Sequence, residues 1–437
     1  MTGPSADELT VGHEVDVEVG PVAHGGHCVA RHEGRVLFVR HSLPGERVRA
    51  RITEGGPGDR FLRADAIEVL EASAHRVAPR CPVSGPGGCG GCDFQHVETA
   101  HQRELKATVV AEQLSRLGGV EREVVVEPLA DDDGLRYRTR VEFAVADGRV
   151  GLRRHRSHDV VPVTGCPIAV AEIDTALADT LAETGGAPAA LEGIGALDVI
   201  VPSGEADTVV VEVPQDAPTP PITLTETVVT PAGERALHVD ARGFWQVHRD
   251  APRSFVAAVL DAADVRPGER VLDLYSGVGL LSLPLAEAVG PQGQLIAVES
   301  DRRATEHLRD NLAGQPWALV VPGRVDDLLG VPRKGRRRGP RRPARSDLLP
   351  PSADVVVLDP PRTGAGRQVV EALISLRPRR LVYVACDPAA LGRDTAYLAE
   401  LGYEMADLRA FDAFPMTHHV ECVATFIIGR WSARGTQ

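Results

Sequence analysis

Several things are scarce in this chain of 437 residues, and each shortage excludes something. No apolar run approaches the ~20 residues that a membrane-spanning helix needs. The first residues, MTGPSADELT, lack the basic and apolar regions of an export leader. A cytoplasmic protein with no membrane partner is therefore expected. Basic charge is in deficit, with 48 Lys and Arg against 61 Asp and Glu and a net charge of −13. That balance weighs weakly against a nucleic-acid partner, although a partner feels the local patch rather than the average. Aromatics make up only 4% of residues, so an aromatic pair stands out wherever it occurs. Cysteine is present seven times, an odd count with three in one tight group. Without an export signal, this favours metal binding or catalysis over disulfides. The remaining composition, 43% hydrophobic and 25% charged, suits a globular chain of roughly two to four domains.

From Val11 to about Ala72 the short alternating runs VDVEVG, HCVAR, RVLFVR, RVRARI and ADAIEVL are separated by turns rich in Gly, Pro and Asp. So many short strands in so few residues must curl into a barrel to hide their edges. Next comes CPVSGPGGCGGC, with Cys81, Cys89 and Cys92. The last two, three residues apart with Gly between them, can present both sulfurs to one centre. A fourth sulfur follows at Cys166 in TGCPIA. Four thiolates suit either structural zinc or an iron–sulfur cluster, and spacing alone leaves both open. Cys28 and Cys422 lack such company and read as buried thiols. Strand-like runs from Glu123 to Pro214 surround one helical stretch near Ala171–Thr184. Within them RYRTRVEFAV places Arg138 and Arg140 on one strand face beside Tyr137, a mixture suited to phosphates and bases, or simply to a solvated sheet face.

After an amphipathic helix at Arg253–Asp264, strand and helix alternate through VLDLYSG, QLIAVES, ALVVPGRV, VVVLDPPR and LVYVAC. Such alternation means a parallel sheet wrapped by helices. Between Leu329 and Asp347 lies a basic insertion among Gly and Pro, with Arg333, Lys334, Arg336, Arg337, Arg338, Arg341, Arg342 and Arg345. It cannot build a core, is expected to be mobile, and suits contact with phosphate.

The chemistry gathers at the strand ends. The turn DLYSGVG carries Gly277 and Gly279, which let a ligand approach the backbone. One β-α unit later, Glu299 is placed to hold the ribose hydroxyls of a nucleoside cofactor. A turn with fewer glycines than the dinucleotide fingerprint favours S-adenosylmethionine over a nicotinamide. Asp359 ends the fourth strand of the series, before two prolines that stiffen its loop. Cys386 ends the strand after that, and Glu421 heads the last one. A thiolate and a carboxylate are what C5 alkylation of a pyrimidine requires. The thiolate adds at C6 to make C5 nucleophilic, and a base then removes the C5 proton so that the thiolate can leave.

Taken together, FWQVH, DLYSGVG, LDPPR, VACDP and FPMTHHVE, in that order, resemble the bacterial 5-methyluridine RNA methyltransferases, which modify uridines of tRNA and 23S rRNA. The segment HSLPGERVRARI resembles the TRAM domain, an OB-like RNA-binding module. The resemblance implies a multidomain α/β protein with an N-terminal OB-like β-barrel (residues 1–72), a central β-rich α+β domain with the Cys cluster (73–250) and a C-terminal Rossmann-like methyltransferase domain (251–437). It implies Cys386 as nucleophile, Glu421 as the base, and Gln246, Tyr275, Glu299 and Asp359 around S-adenosylmethionine. It further implies a four-iron four-sulfur cluster on Cys81, Cys89, Cys92 and Cys166, as in the rRNA branch. The expected substrate is a uridine of structured RNA, 23S rRNA ahead of tRNA, and the expected state is a monomer. The rival from another class is a non-catalytic RNA-binding or ribosome-assembly factor. This chain departs from the family where Asn is usual, at Leu280, and in the basic insertion.

Overall fold

The computed structural model describes residues 8–130, 133–183, 191–205, 207–332 and 344–429. Of the basic insertion, Arg333, Lys334, Arg336, Arg337, Arg338, Arg341 and Arg342 lie outside these residues.

The alternating N-terminal runs form β1 (Glu14–Ala23), β2 (His27–His32), β3 (Arg35–Arg40), β4 (Arg47–Glu54) and β5 (Phe61–Glu71). They close into a barrel of order β1-β2-β3-β5-β4, which leaves no strand edge unpaired. A period of two sends Val15, Val17 and Val19 inward to meet Val48, Ala50, Ile52, Leu62 and Ala64, all buried.

Helix α1 (Thr99–Gln113) leaves the barrel and leads to the short strand β6 (Val126–Pro128). An antiparallel sheet follows, built from β7 (Arg140–Ala146), β8 (Arg149–Arg153), β9 (Val160–Pro162), β10 (Ile194–Ile200) and β11 (Val209–Pro214) in the order β11-β10-β7-β8-β9. Helix α2 (Ala171–Glu183) covers one face, with Ile173 and Leu177 against Phe143, Leu197 and Val199. A hairpin of β12 (Thr223–Thr230) and β13 (Gly233–Asp240) then leads into the C-terminal domain.

That domain runs α3 (Ala251–Ala263), β14 (Arg270–Leu274), α4 (Ser282–Val289), β15 (Gln294–Glu299), α5 (Arg302–Asn311), β16 (Ala318–Pro322), α6 (Val325–Leu328), β17 (Val355–Leu358), α7 (Arg367–Ile374), β18 (Arg380–Ala385), α8 (Pro388–Glu400), β19 (Tyr403–Asp412) and β20 (Glu421–Ile428). The sheet order is β16-β15-β14-β17-β18-β20-β19-β6. Strands β14 to β18 pair in parallel, and β20 enters antiparallel between β18 and β19. Residues 271–274, 295–298, 355–358 and 381–385 are buried throughout, as continuous apolar strands covered on both faces must be. The chain winds outward in both directions from β14 and β17, so the crevice at their carboxyl ends is the topological switch point, where such sheets bind ligands.

Two findings differ from the sequence reading. The run REVVVEPL yields only β6, and this strand joins the C-terminal sheet, parallel to β19. The face read as an RNA contact is inward: Tyr137 is fully buried, donates its hydroxyl to Pro415 O at 3.0 Å and stacks on His248. Arg140 is buried too, with Nη2 2.6 Å from Glu226 Oε1. Alternation in sequence could not tell a strand clamped between two domains from one facing water.

Helix α1 ties the domains through a buried charge. Lys106 Nζ lies 2.5 Å from Asp412 Oδ1 and donates to Phe414 O at 3.0 Å, and both charged side chains are almost wholly excluded from water. Replacing Lys106 by Ala strands a buried carboxylate and is expected to cost about 3–5 kcal/mol. A urea unfolding curve measures this. An unchanged midpoint would show that the pair does not hold α1 to the C-terminal domain.

Candidate active site

The site is assembled from the carboxyl ends of β14, β15, β17 and β18 and the start of β20, which runs the other way and so begins at the same edge. The backbone after β14 turns sharply: Tyr275 takes φ of +62°, followed by Gly277 at +56° and Gly279 at +99°. A tyrosine in the left-handed region is a strained position that surrounding structure must hold. Here Ser276 holds it, donating from its amide to Val298 O at 3.0 Å and accepting from the Val298 amide on Oγ at 3.1 Å. The Gly277 amide donates to Glu299 Oε2 at 2.9 Å, while Glu299 Oε1 accepts from the amides of Ser300 and Asp301 at 2.5 and 2.6 Å. Three backbone donors therefore fix the Glu299 carboxylate beside the turn. Gly279 does not line the cavity described below, and its φ of +99° is a conformation that L side chains rarely adopt.

A cavity of about 1140 Å³ opens over these strand ends. Its lining brings together Gln246, Tyr275, Gly277, Glu299, Asp359, Cys386 and Glu421. The reason Cys386 and Glu421 meet is register. In the antiparallel pair β18–β20, Ala385 lies opposite Cys422, so one step outward puts Cys386 level with Glu421.

Burial, and then the charges of Glu421 and Asp359, push the Cys386 thiol up to about 12. Burial and Asp359 likewise push Glu421 well above the usual carboxylate range, partly offset by Arg362. Asp359 is pushed up to about 7 by burial and by Asp273, itself raised to about 7 by burial despite a hydrogen bond from Ser282. The pocket thus keeps its acids and thiol protonated more readily than water would, and Arg362 is a cation that works against this.

The cluster cysteines lie elsewhere. Cys92 and Cys166 pack with Tyr137, Ile168 and Met416, while the Gly91 amide donates to Cys89 Sγ at 3.3 Å and Gln95 Nε2 to Cys92 Sγ at 3.6 Å. Burial and the other three sulfurs push the Cys92 thiol up to about 12, so the four are electrostatic neighbours. Among the described residues, no group of three or more His, Cys, Asp or Glu closes on a single metal ion. Four thiols with N–H donors aimed at two of their sulfurs are a donor set common to structural zinc and iron–sulfur centres.

Residues the sequence did not single out also line the large cavity: Arg362, His419 and Asp326 among them. Asp326 could have been found by the positional logic used for Glu299, since it follows the next strand, β16.

Fold and site together define the class, a Rossmann-like domain whose switch-point crevice faces a cysteine paired with an acid. Comparison with known proteins narrows it. Residues 239–427 match the family described as tRNA (Uracil-5-)-methyltransferase, and residues 8–67 match the TRAM domain. An uncharacterised RNA methyltransferase of Streptomyces coelicolor is 45% identical, covering 95% of this chain and 93% of its own. The 23S rRNA (uracil(1939)-C(5))-methyltransferase RlmD of Shewanella sp. strain MR-7 is 30% identical, covering 93% of this chain and 94% of its own. The crystal structure of Pyrococcus abyssi tRNA (uracil-54, C5)-methyltransferase in complex with S-adenosyl-L-homocysteine shares the fold, with a TM-score of 0.66 at 21% identity over 94% of this chain and 100% of that one. The chain belongs to the uracil-5 RNA methyltransferase family.

The thiol makes a direct test of the electrostatics possible. With Cys386 ionising near 12, its alkylation by iodoacetamide is expected to be slow at pH 7 and to rise about tenfold per pH unit to pH 9. A rate that levels off below pH 9 would show that the acids around it do not suppress the thiolate.

Proposed function

We propose that this protein methylates C5 of a uridine in 23S rRNA through a covalent bond between Cys386 and C6 of the ring. The observation that carries the reading is the register that sets Cys386 level with Glu421 beside a cavity roomy enough for a nucleoside cofactor. S-adenosylmethionine fits that cavity through the fixed Glu299 carboxylate, which is placed to accept from ribose hydroxyls, with Gln246, Tyr275, Gly277 and Asp359 around it. Bound there, it supplies an electrophilic methyl group.

Cys386 gives up its proton to solvent and its sulfur adds to C6, which turns C5 into a carbon nucleophile; C5 takes the methyl group as the methyl–sulfonium bond breaks, and S-adenosylhomocysteine is released. Glu421 then removes the C5 proton, the C6–sulfur bond breaks, and the electron pair returns to Cys386 as a thiolate. Burial favours the neutral acid at Glu421, so the group acts as base only once ionised, when it is a stronger base than a carboxylate in water, which a carbon acid demands. Arg362, facing both groups, favours the thiolate when it forms. Burial of the pocket requires the target base to leave its stack before it can reach the sulfur.

The preference for 23S rRNA over tRNA rests on the rRNA-modifying relative at 30% identity and on the four thiols. Cys81, Cys89, Cys92 and Cys166 would hold a four-iron four-sulfur cluster. Protein purified without oxygen is then expected to be brown and to contain iron and labile sulfide. A colourless protein carrying zinc would refute the cluster.

Methyl transfer from labelled S-adenosylmethionine to unmodified 23S rRNA and tRNA transcripts, assayed side by side, tests the substrate. Label in rRNA alone is expected; label in tRNA alone would keep the chemistry and refute the substrate. Cys386→Ala is expected to abolish transfer. Glu421→Gln is expected to lower turnover by about 10² or more and to accumulate RNA covalently attached to protein, seen as a band resistant to denaturant. RNA binding without label or adduct in the wild type would favour the non-catalytic reading.

A further inference from the structure

Beside the large cavity lies a second, of about 160 Å³, and Arg362, Cys386 and His419 line both. Cys386 therefore opens on two spaces. One takes a nucleoside cofactor; the other is well below the ~300 Å³ at which pockets for larger ligands begin, a scale suited to one planar ring. Much of the lining of the small cavity comes from outside the catalytic domain: the β1–β2 turn of the barrel, from Val22 to Gly26, supplies part of it, and Phe94, Leu105, Lys106 and Val109 supply more.

That turn is tied to the loop carrying Cys386. His24 Nε2 lies 3.0 Å from Asp387 Oδ2, and Asp387 directly follows Cys386 and caps α8 by accepting from the Ala390 amide at 2.7 Å. Gly26 has φ of +77°, and a Cβ there would stand 2.8 Å from Cβ of His418, so only glycine lets the turn come this close. A second tie runs beneath: Asp93 Oδ2 meets His418 Nδ1 at 2.6 Å, and Asp93 Oδ1 lies 3.4 Å from Arg40 Nη2 at the end of β3. Burial pushes Asp93 up, yet His418 and Arg40 outweigh it and hold the carboxyl below its usual range.

We infer that the barrel completes the pocket for the target uracil. The turn His24–Gly26 is the wall against which the extruded base lies while Cys386 adds to it, and His24, acting through Asp387, is a positioning residue for the nucleophile. The inference rests on the reading of Cys386 as the group that attacks a uridine. It gives the barrel a part in the chemical step besides any part in gripping RNA. The physical demand is plain: addition at C6 needs the ring held about 3–3.5 Å from the sulfur with its face aligned, and a misplacement of about 1 Å costs on the order of 10² in rate.

The test compares wild type, His24→Ala and His24→Asn by three measurements. These are the single-turnover rate of methyl transfer, the dissociation constant for the same RNA, and the rate at which iodoacetamide alkylates Cys386 without RNA. His24→Ala is expected to slow transfer at least tenfold, leave RNA binding within about twofold, and speed alkylation several-fold by loosening the wall. His24→Asn, which keeps a hydrogen-bonding group, is expected to recover part of the rate. Unchanged transfer and alkylation would overturn the inference, as would a loss of rate matched by an equal loss of RNA affinity. A wild-type protein inert toward every RNA would instead refute the nucleophile reading, and the alkylation rates would then decide the wall by themselves.

Discussion

Everything proposed for this site depends on one register. Because β20 runs antiparallel to β18 with Ala385 opposite Cys422, a thiol at the end of one strand and a carboxylate at the start of the other are neighbours. Shifting the pairing by one residue would turn Glu421 to the opposite face of the sheet and leave the thiol without its base. The apolar faces of both strands resist such a slip. Leu381, Val382, Val384, Val423, Ala424 and Phe426 are buried, and each would have to move into the wrong layer. The chemistry therefore borrows its precision from the hydrophobic core, where side-chain packing is dense and does not yield easily.

The same arrangement explains why the site is electrostatically tense. Asp273, Asp359, Glu421 and Cys386 all sit where water is scarce, and each raises the proton affinity of a neighbour. Such a cluster is poor for stability and useful for proton traffic, since groups are left poised to accept protons they would ignore in water. Arg362 stands at the junction of the two cavities, where a developing thiolate and an incoming base would both feel it.

Much of this was readable from residue order. Continuous apolar runs ending in Gly277, Glu299, Asp359 and Cys386 can only be buried parallel strands whose ends share one edge, and the structure puts those four on one cavity. What could not be read was set by long-range pairing. The strand β6 joins a sheet whose other members lie more than 140 residues away, a partner no local pattern names. Tyr137 and Arg140 looked like surface residues because their alternation was right; the Pro415 carbonyl and the Glu226 carboxylate that bury them come from distant segments. The barrel wall at His24–Gly26 was hidden for the same reason: Asp387 lies 363 residues further on.

The covalent step is the centre of this mechanism, and RNA carrying 5-fluorouridine at the target position tests it most directly. Fluorine at C5 cannot leave as a cation, so Glu421 has no proton to remove and the adduct cannot collapse. After incubation with S-adenosylmethionine and digestion, mass spectrometry is expected to find a methylated fluorouridine nucleotide on the peptide holding Cys386. Its absence, or its attachment to another residue, in an enzyme that still methylates ordinary RNA would contradict the mechanism.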